Sequence, residues 1–141
     1  MIDYKNLNFD EIYVGQKVSF QVEITDEMIK KFAELSGDYN PLHMDEIYAQ
    51  NSKFNQRVCH GMLLGSFLSQ LVGMHIPGKK CLYLSQNLNF LNPCYISDTI
   101  SIEGVVKEKS NSTQILEIAT TIKNQENILL VNGIARVMVL G

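Results

Sequence analysis

Blocks of one charge, paired cysteine motifs and long apolar runs are all missing from this 141-residue sequence, and each absence excludes something. The 12 Lys plus Arg and 15 Asp plus Glu are scattered along the chain and leave a net charge of -3, which argues against a nucleic-acid or anionic-membrane binder held by bulk electrostatics. The three cysteines, Cys59, Cys81 and Cys94, form no Cys-x-x-Cys pair, and an odd number cannot close into a complete set of intrachain bridges, so a reduced, cytoplasmic setting is expected. No apolar run opens the chain, where Asp3, Lys5 and Asp10 interrupt residues 1–10, so no signal peptide is expected. The most apolar stretch, Met62 to Met74, falls short of the ~20 residues that cross a bilayer. Gly65, Ser66, Ser69 and Gly73 within it point instead to a helix closely packed inside protein. Internal repeats and low-complexity tracts are also absent.

What is present fits one globular domain. With 45% hydrophobic and 19% charged residues, a chain of this size buries roughly two thirds of its unfolded surface. Val18, Phe20, Val22 and Ile24 alternate with polar residues and predict a strand. Thr25 then caps a helix whose first turn carries Asp26 and Glu27 and whose end is marked by Ser36-Gly37. Asp38 to Pro41 is a turn, Asn40 is a cap, and short helices cover 42–51. His60-Gly61 opens the apolar helix and Pro77-Gly78 closes it; Gly65, Ser69 and Gly73, four apart, form a smooth stripe for close approach. From Cys81 onward strands follow one another: an alternating run over Leu82 to Phe90, another through Ile100 to Val106, a turn at Lys109 to Ser112, and strands over 115–122 and 128–140. One strand, then helices, then about four strands is an α+β order, an antiparallel sheet with its helices on one face.

Chemistry concentrates in Asp38-Tyr39-Asn40-Pro41-Leu42-His43. The Asn40-Pro41 corner can fold a carboxylate and an imidazole back towards one point, and a neutral histidine beside an ionised aspartate can hold and activate a water. The same residues also serve as caps, a turn and a satisfied structural histidine, and spacing alone does not separate the two roles. His75, at the end of the apolar helix, is read as a partner of the helix dipole. The cysteines read as small apolar fillers, since no activating base adjoins them in sequence.

The segment from Phe32 to His43, with Ala49 six positions further on and Val58-Cys59-His60-Gly61-Met62-Leu63 beyond it, resembles the signature of the MaoC-like dehydratases, the R-specific enoyl-CoA hydratases of hydratase 2 type. That resemblance implies a single hot-dog domain over residues 1–141, a sheet wrapped around the central apolar helix. It also implies reversible syn addition of water to a trans-2-enoyl thioester, giving an (R)-3-hydroxyacyl thioester. By position Asp38 and His43 match the family's catalytic pair, Asn40 the asparagine that supports them, Gly61 the oxyanion-hole glycine and Ser69 a polar helix residue near the pair. His60 precedes the glycine in the family pattern and is read chiefly as orienting the turn. Tyr39 and His60 are also candidates for touching substrate. Lys79 and Lys80, or Arg57, are candidates for meeting the phosphates of the carrier.

No cofactor or metal is implied, coenzyme A entering only as part of the substrate. The expected partners are an acyl-CoA or acyl-carrier-protein thioester and a second copy of the chain, because the family's substrate tunnel runs where two units meet. Asn55-Gln56 and Cys59 depart from the common pattern and bear on loop shape and acyl-length preference. Three other functions remain on the same fold: an acyl-CoA thioesterase, a 3-hydroxyacyl-[acyl carrier protein] dehydratase and a non-catalytic acyl-thioester-binding module. Met62 to Met74 carries no carboxylate, which counts against the thioesterase, and a pure binder has no need of both Asp38 and His43.

Overall fold

The computed structural model describes residues 1–141. After a 3₁₀ turn at Phe9–Glu11 come strand β1 (Lys17–Glu23), helices α1 (Asp26–Ser36), α2 (Pro41–Met44), α3 (Glu46–Gln50) and α4 (Gly61–Gln70), and a π-helical turn at Leu71–His75 that extends α4. Strands β2 (Cys81–Gln86), β3 (Asn89–Phe90), β4 (Thr99–Ser110), β5 (Ile115–Lys123) and β6 (Leu129–Val139) complete the chain. The sheet runs β1-β4-β5-β6-β2, every pairing is antiparallel, and β3 adds to β6. This is the hot-dog arrangement, an α+β fold with the sheet curved around α4. No helix is long and apolar enough to cross a membrane.

Local signals act where the sequence places them. Thr25 Oγ1 accepts the Met28 N–H at 3.2 Å to start α1, and Gly37 ends it in the left-handed region at φ 78°. The central helix spans two parts of the core. Leu63, Leu64, Leu68 and Leu71 pack with Ile100, Ile102 and Ile122 of the sheet. Val72 and Ile76 continue into a second cluster with Val106, Leu116, Ile118 and Val137. Each fully buried side chain of this kind contributes about 1.5–3 kcal/mol, which makes α4 the rod on which the site is mounted.

Three expectations need correction. Close approach along the stripe is made at Gly65, where a Cβ would stand 3.1 Å from Leu88 Cδ1, but Gly73 has open space around it, and the tighter contact of helix and sheet is at Gly104 of β4, where a Cβ would stand 2.9 Å from Leu71 Cδ2. The run from Leu82 to Phe90 is two strands, because the Asn87 side-chain oxygen takes the Ile134 N–H at 2.6 Å and replaces a backbone rung of the ladder. The strand β4 continues through Lys109 and Ser110, and the turn falls at 111–114. Lys109 Nζ donates to the carbonyls of Phe9 and Ile12 at 3.0 and 2.6 Å, which keeps a polar residue in the strand.

Candidate active site

Between the end of α1 and the start of α4, the chain makes the sharp corner that Asn40-Pro41 dictates. Asn40 Oδ1 accepts the Leu42 N–H at 3.0 Å and so caps the single turn of α2, with Pro41 in its first position. One step earlier the Asn40 N–H donates to Asp38 Oδ1 at 3.1 Å. The Asn40 side chain thus caps α2 while its backbone N–H bonds the Asp38 carboxylate. Asp38, just past the Gly37 cap, is exposed, and His43 on α2 is half-buried.

Asp38, His43 and His60 converge: one ligand-type atom from each lies within 4.8 Å of the others. Two hydrogen bonds of about 2.8 Å meeting at a tetrahedral oxygen span about 4.6 Å, which lies within that bound, so a carboxylate and an imidazole brought together here are within reach of one shared water. The tautomer of His43 follows from its neighbour. Nδ1 lies 2.6 Å from the Val58 carbonyl oxygen, which can only accept, so Nδ1 carries the hydrogen and the Nε2 lone pair remains for a proton.

His60 holds both members of the pair. It is 2% exposed, its Nε2–H donates to the Asp38 backbone carbonyl at 2.9 Å, and its ring stacks on His43 with centroids 4.0 Å apart. Phe32 of α1 closes the other side at 4.9 Å. Burial, set against the hydrogen bond to Asp38, pushes the His60 pKa below its usual 6.5, and the neighbouring His43 adds to the effect. Its Nδ1 is buried without a partner. His60 thus packs on His43 and holds the Asp38 backbone while also lining the cleft. Although three residues of two metal-ligating types meet here, a metal ion lies in the plane of each imidazole that binds it, and the two rings are stacked within 29° of parallel.

The same three residues line one side of a cleft of about 540 Å³ whose opposite walls come from Gly61 and Leu64 of α4, Phe90 of β3, and the 91–94 segment. Gly61 is the first residue of α4, so its N–H has no acceptor within the helix and the helix dipole adds to its positive end. A Cβ at this position would stand 2.8 Å from Phe90 Cδ1, so only glycine leaves both the aromatic ring and the backbone accessible. The floor includes Cys59 and Cys94, opposed across a short bridge in which the Cys59 N–H donates to the Cys94 carbonyl at 2.7 Å. The hydrogen bond to Cys59, followed by burial, pushes the Cys94 thiol well up. That protonated state agrees with an apolar filler and not a nucleophile.

Other expected site residues lie elsewhere. Ser69, eight residues along α4 and so about 12 Å from Gly61, opens on a separate apolar hollow beside Phe32, Met62 and Leu88, and within one chain it does not reach the pair. Tyr39 is exposed and outside the cleft. Lys79 lies over the Tyr4 ring and Lys80 Nζ donates to Asn8 Oδ1 at 2.7 Å, beyond the far end of α4. His75 stacks on Phe20 with centroids 4.9 Å apart. Arg57 is not a phosphate contact. It is 10% exposed, and its Nη2 donates to Asp26 Oδ1 at 2.8 Å while its Nε donates to the His43 carbonyl at 2.6 Å, pinning α2 to α1. Lys30 first, and Arg57 after it, hold the Asp26 carboxyl below its usual range. Sequence reasoning missed this structural role of Arg57, whose partners lie 14 and 31 residues away.

Fold and site together define a hot-dog protein with an Asp–His pair at the mouth of its central helix. The MaoC like domain matches residues 11–128. The chain is 35% identical over 127 residues to an (R)-specific enoyl-CoA hydratase of Aeromonas caviae, covering 90% of this chain and 95% of that protein. Over 105 residues it is 40% identical to an (R)-specific enoyl-CoA hydratase of Rhodospirillum rubrum, covering 72% of this chain and 73% of that one. Among solved structures it superimposes on the unliganded R-hydratase PhaJ1 of Pseudomonas aeruginosa with a TM-score of 0.93 at 34% identity, covering 97% of this chain and 88% of that chain. The chain belongs to the MaoC-like family.

Proposed function

We propose that the protein is an (R)-specific enoyl-thioester hydratase, a hydro-lyase that adds water reversibly across a trans-2-enoyl thioester to give the (R)-3-hydroxyacyl thioester. The observation that carries this reading is the convergence of Asp38 and His43 to within 4.8 Å, with His43 held in the tautomer that leaves Nε2 free. The names of the relatives agree with it. Water held in the gap loses a proton to the pair as its oxygen bonds to C3. The C2–C3 π electrons move towards the thioester carbonyl, and the negative charge on that oxygen is met by the Gly61 N–H at the start of α4. C2 then takes a proton from the same pair, on the face from which water came, and the carbonyl re-forms. Addition of water is redox-neutral and the residues present supply base, acid and oxyanion donor, so the reaction needs no cofactor.

A homodimer completes this reading. Leu82 and Leu84 on the edge strand β2 are 48% and 41% exposed, and the hollow around Ser69 is almost wholly apolar, as expected of surfaces that a second copy covers. The opposed, unpaired Cys59 and Cys94 suit the reducing cytoplasm. A carboxylate on α4, expected of a thioesterase, is absent from its sequence GMLLGSFLSQ. Incubation with crotonyl-CoA tests the proposal: loss of the enoyl absorbance without release of free thiol supports hydration, and thiol release with no 3-hydroxyacyl product overturns it in favour of the thioesterase.

A further inference from the structure

The substrate class proposed above presents phosphate at the end of its pantetheine arm, whether the carrier is coenzyme A or acyl carrier protein, while the protein itself is acidic and Asp38 adds a carboxylate to the cleft. Some cation has to meet that phosphate at the cleft. The other cations that the sequence offers for this lie elsewhere: Arg57 is bound to Asp26 and the His43 carbonyl, Lys80 to Asn8, and Lys79, beside Tyr4, is outside the cleft lining. Lys53, in the link between α3 and α4, is the one Lys or Arg among the residues lining the catalytic cleft. It is exposed, makes no ion pair, and places its Nζ 5.1 Å from the ring of Phe54, which lines the same wall. An ammonium held over an aromatic face at the rim stays hydrated and free to receive an anion, and its attraction for phosphate is little offset by desolvation.

We propose that Lys53 recognises the carrier by binding the phosphate of its pantetheine arm, so that the link between α3 and α4 is the carrier-recognition element of the site. This rests on the hydratase reading. Three crotonyl thioesters test it: those of coenzyme A, of 4′-phosphopantetheine, and of N-acetylcysteamine, which has no phosphate. Wild type, Lys53→Ala, Lys53→Glu and Lys53→Arg are compared by the ratio of kcat/KM for each phosphate-bearing thioester to that for the phosphate-free one. Loss of one charge-assisted contact is expected to lower the ratio about fivefold in Lys53→Ala, through KM. Lys53→Glu is expected to lower it further, and Lys53→Arg to keep it near wild type. A fall for both phosphate-bearing substrates assigns the contact to the pantetheine phosphate. A fall confined to the coenzyme A thioester moves it to the nucleotide phosphates and overturns the assignment to the arm. Ratios unchanged in both Lys53→Ala and Lys53→Glu, or equal losses on all three substrates, also overturn it. A wild-type protein that hydrates none of the three overturns the hydratase reading itself, and is distinguished because it involves no variant.

Discussion

His60 joins the two halves of the proposed catalytic pair: its ring stacks on His43 at 4.0 Å and its Nε2–H donates to the backbone carbonyl of Asp38 at 2.9 Å. The residue before the helix thus fixes the spacing of two residues that lie on either side of a proline corner. Replacing it with glutamine removes the stack while leaving a donor within reach of the carbonyl. We expect His60→Gln to lower kcat about tenfold or more with KM less affected, since positioning acts on the reacting geometry. Steady-state kinetics with crotonyl-CoA check the split, and an unchanged kcat removes the positioning role.

Burial also makes His60 a source of acid sensitivity. Its folded pKa lies below the unfolded value of 6.5, so between the two the unfolded chain binds more protons, and stability falls as pH drops through about 6.5 towards the folded value. Thermal unfolding followed from pH 8 to pH 5 is expected to show Tm declining below pH 6.5 in the wild type, with a smaller decline in His60→Gln. Parallel declines would place the acid sensitivity on other groups.

Asp38 and His43 are expected to be indispensable to the chemistry and dispensable to the fold, because Asp38 is exposed and His43 half-buried. Asp38→Asn and His43→Gln should each lower kcat by about 10²- to 10⁴-fold with native circular dichroism. The double variant should be little worse than either single one, since the two act on one water. Near-additive losses would contradict a shared water.

How much of this was readable in the sequence follows from the range over which each feature is determined. The corner at Asn40-Pro41, the Thr25 and Gly37 caps and the helix start at Gly61 are local, and the structure has them where the sequence places them. The orientation of Leu82 and Leu84, exposed on β2 while Cys81 and Tyr83 pack against the core, is set by an edge strand whose register shifts between Tyr83 and Ser85, and alternation alone cannot give the face. The fates of Ser69, Lys79, Lys80 and Arg57 depend on where distant elements fall. Family position put Ser69 beside the pair, and one chain alone leaves it on another surface.

Arg57 gives a stability test of the scaffold. Its guanidinium satisfies the His43 carbonyl and the Asp26 carboxylate from a nearly buried position. Arg57→Ala leaves the carbonyl and the carboxylate without this donor, and is expected to destabilise by about 1–3 kcal/mol and to reduce kcat by loosening α2. Chemical denaturation and crotonyl-CoA kinetics on the same preparation check both effects. Arg57→Lys should recover only part of either, lacking the second donor direction.

Gly61 is tested through its neighbour. Gly61→Ala places a methyl within 2.8 Å of the Phe90 ring at the oxyanion position and is expected to lower kcat/KM more than tenfold. The double variant Gly61→Ala, Phe90→Ala should recover part of that loss if the clash with the ring dominates. No recovery would assign the loss to the added methyl blocking substrate from the backbone N–H.

In the proposed reaction one water is delivered, and one proton returned, by the same pair on the same face. Hydration of crotonyl-CoA in deuterium oxide, with the configurations at C2 and C3 of the product read by NMR, tests that most directly. The expected product is (R)-3-hydroxybutyryl-CoA with deuterium at C2 on the face that carries the new hydroxyl; an (S) product, or deuterium on the opposite face, would contradict it.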